Sequence, residues 1–178
     1  MPDKTETRLV EAAIDGDLEG FGKLCQRYYP AMVAIGYSVL VDHQLAEDAA
    51  QESFARALVS LRKLKNQTRF APWLAAICRN VAKDMVAQKS QQISTGDFSQ
   101  AARNDNADEN APVIRRAIEQ LPVSSRELIV LRYYNNLSYE EISSVLGISK
   151  PAINGRLSRA KRKMAKYLRR NGFPENQL

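Results

Sequence analysis

Apolar residues recur every three or four positions along almost the whole chain, the spacing that lines one face of an α-helix. Leu9, Val10, Ala13 and Ile14 form such a face from about Thr5 to Asp15. Gly16 breaks it, and Asp17 is placed to cap a second helix with Phe21, Leu24, Cys25 and Tyr28 inward. Pro30 is expected early in a third helix, with Val33, Tyr37 and Leu40 on its apolar side. Asp42 caps the next, running to about Leu64 with Leu45, Ala49, Ala50, Phe54, Ala57, Leu58 and Leu61 inward. Phe70, Trp73, Leu74, Ile77, Val81 and Met85 mark a further helix. Val113 to Leu121 is a short one, and Pro122 and Ser124 open another with Leu128, Ile129, Leu131 and Tyr134 on its apolar side. No stretch alternates apolar and polar residues between hairpin turns, so the expected class is all-α.

The stretch from Leu137 to Met164, LSYEEISSVLGISKPAINGRLSRAKRKM, organises the rest. Ser138 with Glu141 three residues on has the capping-box spacing. Ile142, Val145 and Leu146 give the apolar face, and Gly147 stands where a helix end needs a left-handed residue. Ile148 plugs the turn, Ser149 is the next N-cap, and Pro151 is tolerated in the first helical turn. Ile153, Leu157, Ala160 and Met164 face inward on the second helix, which leaves Lys150, Asn154, Arg156 and Arg159 outward. This is a helix-turn-helix plan, whose second helix suits a DNA major groove.

Charge sharpens that reading. The net charge of +6 is unevenly spread. Residues 1–93 carry 12 basic and 11 acidic groups, residues 94–112 carry one and four, and residues 113–178 carry 13 and five. From Lys150 to Arg170 there are nine basic side chains, Lys161 and Arg162 among them, and no acidic one. A solvated helix mixes signs for i,i+4 pairing, whereas a single-sign stripe repels itself unless a polyanion neutralises it. Residues 93–112 (ISTGDFSQAARNDNADENAP) are polar and nearly devoid of large apolar side chains, so they cannot bury enough to fold alone. The expected organisation is therefore two small helical domains, 1–93 and 113–178, joined by a flexible linker over 94–112.

Candidate chemistry is sparse. His43 is the single histidine, Cys25 and Cys78 sit in amphipathic patterns without a CxxC partner, and no phosphate loop, nucleophile triad or HExxH occurs. Neither an enzyme, a cofactor nor a metal site is expected. No apolar run approaches the roughly 20 residues that span a bilayer, and the N-terminus has no apolar signal core, so no membrane insertion and a cytoplasmic location are expected. Two polar patches remain. Asp48, Gln51 and Glu52 lie at i, i+3, i+4 opposite the apolar side of their helix, with Arg56 one turn on; spacing alone suits a merely solvated face. The connector Lys63–Arg69 (KLKNQTR) precedes a helix bearing Arg79, Asn80 and Lys83, a set able to follow a single nucleic-acid strand. Trp73 reads as core rather than as a base-stacking platform.

Taken together, these stretches resemble bacterial RNA polymerase sigma factors of the extracytoplasmic-function (ECF) type over almost the whole chain. DHQLAEDAAQESFARAL resembles region 2.2 of that family, FAPWLAAICRNVAKDMV resembles regions 2.3–2.4, and LPVSSRELIVLRYYNNLSYEEISSVLGISKPAINGRLSRAKRKM resembles region 4. The resemblance implies that Asp48, Gln51, Glu52 and Arg56 dock on core RNA polymerase. It implies that Lys65, Asn66, Gln67 and Arg69 capture an unpaired base of the −10 element, and that Arg79, Asn80 and Lys83 meet the separated strand. It implies that Lys150, Pro151, Asn154, Gly155, Arg156, Arg159, Lys161 and Arg162 read or anchor the −35 duplex. An anti-sigma factor that covers these faces is implied as well. A linker of 19 residues reaches at most about 60 Å, about one and a half turns of B-DNA at roughly 34–36 Å each. VAQKSQQ stands where the family often has an arginine-rich run, and Gly155 interrupts the recognition helix at about 1 kcal/mol relative to Ala. A stand-alone dimeric helix-turn-helix regulator with a helical sensing domain is the competing reading, distinguished by tight binding to palindromic DNA without polymerase.

Overall fold

Short polar side chains open the helices where the sequence marks them. The computed structural model describes residues 4–94 and 111–173. After α1 (Lys4–Ile14), the Asp17 carboxylate accepts from the Glu19 amide at 2.9 Å and starts α2 (Leu18–Leu40). Asp42 accepts from the Leu45 amide at 3.1 Å and starts α3 (His43–Ser60). Between them Val41 closes α2 in a left-handed conformation, φ 54°, a strained backbone for a β-branched residue. Two short 3₁₀ turns, Leu61–Lys63 and Gln67–Arg69, lead into α4 (Phe70–Ser94). Beyond residue 110 come α5 (Ala111–Glu119), α6 (Val123–Ile129), a π turn (Val130–Tyr134), α7 (Tyr139–Leu146) and α8 (Lys150–Arg170). Among the described residues there is no strand, and no helix is long and apolar enough to cross a membrane.

The structure corrects three expectations. Pro30 does not begin a third helix; α2 runs through it. A proline inside a helix removes one N–H, here the partner of the Gln26 carbonyl. Gln26 and Pro30 are both exposed, so the lost hydrogen bond falls on the solvent side of α2. Second, α3 ends at Ser60 rather than near Leu64, and Leu58 is 40% exposed instead of inward. Leu61 is buried as expected, but from the 3₁₀ turn that follows. Third, Tyr134 is 58% exposed although its spacing from Leu131 fits an apolar face. The π turn widens the register to i→i+5 and rotates Tyr134 away from the core. Trp73 packs against the core as expected, half-buried, with its ring 6.0 Å from that of the fully buried Phe70.

Helices α2, α3 and α4 make the centre of the first half. Alanines 46, 49, 50 and 57 of α3 are fully buried, and small side chains let backbones approach closely. The closest approach is at Gly36, where a Cβ would stand 3.0 Å from the Ala46 carbonyl oxygen. In the second half, Leu128 and Leu131 of the α6–π segment pack with Ile142, Ile153 and Leu157. The two halves are in direct contact: α6 and the π turn lie on α2, and α7 lies on α4. One apolar cluster runs through both. The expected linker falls almost entirely outside the described residues; at its edges, α4 extends through Ser94 and α5 begins at Ala111.

Candidate functional site

The acidic patch on α3 is one wall of a groove. Asp48, Gln51, Glu52 and Arg56 are exposed, and with Val81, Asp84, Met85 and Gln88 of α4 they line an open space of about 620 Å³. Arg56 ties the two walls together, its Nε donating to Glu52 at 2.7 Å and its Nη1 to Asp84 at 3.1 Å. Three carboxylates against one guanidinium leave the rim negative, with Val81 and Met85 as an apolar floor. Such a surface suits a basic, amphipathic partner element. Asp84 escaped the reading of the sequence because its partner lies 28 residues away. The only signal was its i, i+3, i+4, i+7 register with Val81, Met85 and Gln88.

The connector before α4 is held by one of its own candidate residues. Asn66 accepts at Oδ1 from the Thr68 amide (3.0 Å) and the Thr68 hydroxyl (2.7 Å), so its carboxamide oxygen caps the 3₁₀ turn. Lys65 and Arg69 are exposed and Gln67 half-exposed. On α4, Asn80 and Lys83 point to solvent as expected, but Arg79 does not share their freedom. Its Nε donates to Glu127 of α6 at 2.8 Å, and its side chain is 28% exposed. The outward placement expected for Arg79 is thus corrected by a long-range ion pair that no helical spacing reveals.

Both caps of the helix-turn-helix are realised. Ser138 accepts from the Glu141 amide at 3.2 Å while Glu141 accepts from the Ser138 amide at 2.7 Å. That hydrogen bond holds the Glu141 carboxyl below the ordinary carboxylate range. Gly147 closes α7 at φ 66°, where a side chain would be strained and would press on Pro72 of α4. Ser149 then caps α8. Ile153, Leu157 and Ala160 are buried and Met164 half-buried, which turns Asn154, Arg159, Lys161 and Arg162 outward with Pro151 and Lys150. Lys150 bonds to Glu140 across the turn and holds that carboxyl low. Gly155 and Arg156 are half-buried. Around Gly155 the space is open: a Cβ would meet only the Arg159 guanidinium, at 3.6 Å.

Two charged residues that the sequence reading passed over sit between the halves. Arg126 is 9% exposed; its Nη1 donates to the Ser38 carbonyl of α2, and its Nη2 to the carbonyls of Glu119 and Leu121. Glu127 is 5% exposed. Burial pushes its carboxyl up, and the guanidinium groups of Arg79 and Arg156 pull it back down. Arg126 and Glu127 follow each other in RELIVLRYY, and nothing in their spacing marks either as buried. Partners on other elements hold both inside.

Known families account for this arrangement. The family model described as Sigma-70 region 2 matches residues 24–92, and that of Sigma-70, region 4 matches residues 113–164. The RNA polymerase sigma factor CarQ of Myxococcus xanthus is 30% identical over 165 residues, covering 89% of this chain and 95% of its own. The ECF RNA polymerase sigma factor SigW of Bacillus subtilis is 28% identical over 171 residues, 86% of this chain and 91% of its own. The probable RNA polymerase sigma factor RfaY of Xanthomonas campestris pv. campestris is 29% identical over 161 residues; the match takes in 84% of this chain but only 40% of that protein. The solved structure of CnrH with the cytosolic domain of CnrY has the same fold (TM-score 0.62, 23% identity, 95% of this chain and 100% of that one). With its paired groove on α3–α4 and its capped, basic helix-turn-helix, the chain belongs to the ECF family of RNA polymerase sigma factors.

Proposed function

We propose that this chain is a transcription initiation factor that docks on core RNA polymerase and directs it to promoters with a −10 and a −35 element. The observation that carries the reading is the division of surfaces. A negative, apolar-floored groove on α3–α4 and a single-sign basic helix in a capped helix-turn-helix lie on separate halves of one chain.

The chemistry of each surface supports its task. Asn154 and Arg159 are exposed on α8 and Arg156 is half-buried between them, with Lys161 and Arg162 beyond. Arginine pairs bidentately with guanine and asparagine with adenine in the major groove, while the flanking cations anchor phosphates. Lys65, Gln67, Arg69, Asn80 and Lys83 edge the first half with amide and cationic groups suited to an unstacked strand. Asn66 acts by shaping the loop that carries them. Melting takes a few kcal/mol per unstacked base, which a pocket for the displaced base offsets. Asp48, Gln51, Glu52 and Arg56 serve the polymerase. We also assign to the chain a cytoplasmic site of action and control by an anti-sigma factor; CnrH is solved with the cytosolic domain of CnrY, and the sigma factor RpoE of Bartonella quintana with the anti-sigma factor NepR.

Run-off transcription with purified core polymerase tests the proposal. Initiation at a subset of promoters, dependent on both proteins, is the expected result. Binding of the isolated chain to a palindrome as a dimer, with no initiation when core is present, overturns it.

A further inference from the structure

A buried carboxylate is costly unless it is paired and hydrogen-bonded, and one lies well away from the surfaces described above. Glu6 of α1 is 7% exposed. It accepts from the hydroxyl of Tyr28, on α2, at 2.6 Å, and the Arg27 guanidinium stands 4.0 Å from the same oxygen. Tyr28 is itself buried, and the centroid of its ring lies 5.9 Å from that of Phe70. Phe70 is fully buried at the first position of α4, and its amide donates to the Gln67 carbonyl, closing the second 3₁₀ turn. A continuous line of contact therefore joins the α1 carboxylate to the connector that carries Lys65, Gln67 and Arg69.

We infer that Glu6 is a positioning residue for −10 recognition: held by the Tyr28 hydroxyl, it fixes α1 as a brace beneath residues 61–69 and so sets where Lys65, Gln67 and Arg69 meet the separated strand. The inference rests on the promoter reading above and adds to it a task for α1. That helix has 11 residues, short of the roughly 12–15 at which an isolated helix becomes even marginal, so its place is set by what it packs on. It lies on α2 and on both 3₁₀ turns of the connector, with its Val10 and Ala13 buried. Apolar contacts are non-directional and tolerate a helix that slides or rolls. The Glu6–Tyr28 bond does not. A hydrogen bond weakens steeply as its geometry departs from ideal, and a buried partner left unsatisfied costs more than the bond contributes. The connector needs such a brace because its own hydrogen bonds are local. The Leu64 amide donates to the Leu61 carbonyl (3.0 Å), the Arg69 amide to the Asn66 carbonyl (2.9 Å), and the Thr68 amide to the Asn66 side chain (3.0 Å). These bonds shape each turn without placing it against the bundle.

Hydrogen exchange of the full chain without polymerase tests the brace. Glu6→Leu with Tyr28→Phe removes both polar partners together and leaves apolar groups of similar size, an exchange that is close to neutral for stability. In this double variant the Leu64, Thr68 and Arg69 amides should exchange about tenfold faster than in the parent, while amides in the middle of α3 and α8 keep their rates. Unchanged exchange over residues 64–69 overturns the brace. An equal rise throughout the chain overturns it too, because that marks a general loss of stability.

A second arm uses holoenzyme on a promoter at which the parent initiates, with single-base substitutions made through its −10 and its −35 element. The double variant should co-purify with core polymerase and keep the parent's −35 discrimination, while its discrimination at the −10 element falls about tenfold. Glu6→Gln keeps an acceptor oxygen for the Tyr28 hydroxyl and should retain the parent's −10 discrimination. Tyr28→Phe, which deletes one oxygen, carries the same expectation as the double variant should that one fail to fold. Parental −10 discrimination in the folded double variant, or an equal loss at both elements, overturns the positioning role. So does a Glu6→Gln variant as impaired as the double one. Lys65→Ala with Gln67→Ala separates this from the reading beneath it. If that variant keeps parental −10 discrimination, the assignment of the connector to DNA fails and the task of α1 fails with it. If it loses discrimination while the folded double variant does not, the promoter reading stands and the inference about Glu6 falls.

Discussion

Glycine in the middle of a recognition helix is a cost that something must offset, and Gly155→Ala asks what does. In the free chain nothing in the structure requires glycine there: residue 155 lies inside α8, and an added Cβ meets only the mobile end of Arg159 at 3.6 Å, ordinary van der Waals contact. The helix-propensity difference then acts alone, so the alanine variant should be more stable by about 1 kcal/mol. For a chain of this size that corresponds to a rise of about 2–4 °C in thermal midpoint. DNA binding should move the other way. If the helix lies close enough to the duplex for its backbone to touch, a methyl at residue 155 overpacks the contact, and overpacking costs about 1–3 kcal/mol. That is roughly a five- to 150-fold loss of −35 affinity. Urea denaturation followed by circular dichroism reads the first quantity, and fluorescence anisotropy on a −35 duplex with holoenzyme reads the second. A variant no more stable than the parent refutes the open-space argument. A stabilised variant with full −35 affinity refutes the close approach and leaves the glycine unexplained.

Other outcomes follow from the same geometry. Asp48→Lys with Glu52→Lys converts the groove rim from negative to positive and should abolish co-purification with core polymerase while leaving the thermal midpoint within about 2 °C, since both residues are exposed. Arg156→Ala should cost about 1–3 kcal/mol in −35 recognition if the side chain reads a base, and an equal loss on scrambled −35 sequences shows a phosphate contact instead. Gly36→Ala forces a Cβ to within 3.0 Å of the Ala46 carbonyl, whereas Gly22→Ala in the same helix meets nothing within 4 Å. The difference in stability between these two variants should be about 1–3 kcal/mol against Gly36→Ala, and equal stabilities refute the close α2–α3 approach. For Glu127, burial holds the proton more tightly in the folded chain than in the unfolded one. The stability this contributes is present at acid pH and is lost as pH rises through the raised value. Denaturation of the parent and of Glu127→Gln at pH 5 and pH 7 should therefore show the parent gaining relative to the variant on acidification, and the opposite trend refutes the burial argument.

Much of this protein was decided locally and is legible along the chain. Ser138 with Glu141, Gly147, Ser149, Asp17 and Asp42 sit at helix ends because a cap is satisfied within four residues, and short-range hydrogen bonding leaves its mark in sequence order. The apolar repeat of α8 and the absence of acidic residues from Lys150 to Arg170 belong to the same class: both are properties of one helix, and together they separate the inward face from the basic one. Only tertiary structure decided the rest. Pro30 is read through because its lost hydrogen bond falls on the wet side of α2, and Tyr134 turns outward because a π turn shifts the register by one residue. Asp84 joins the α3–α4 groove from 28 residues beyond Arg56. Arg79, by periodicity an outward cation, is drawn to Glu127 on the other half of the chain, and Glu127 is buried although it sits in a charged pair. The energy of an ion pair depends on distance and on exclusion of water, neither of which is encoded in spacing along the chain, so the surfaces were readable and their mutual contact was not.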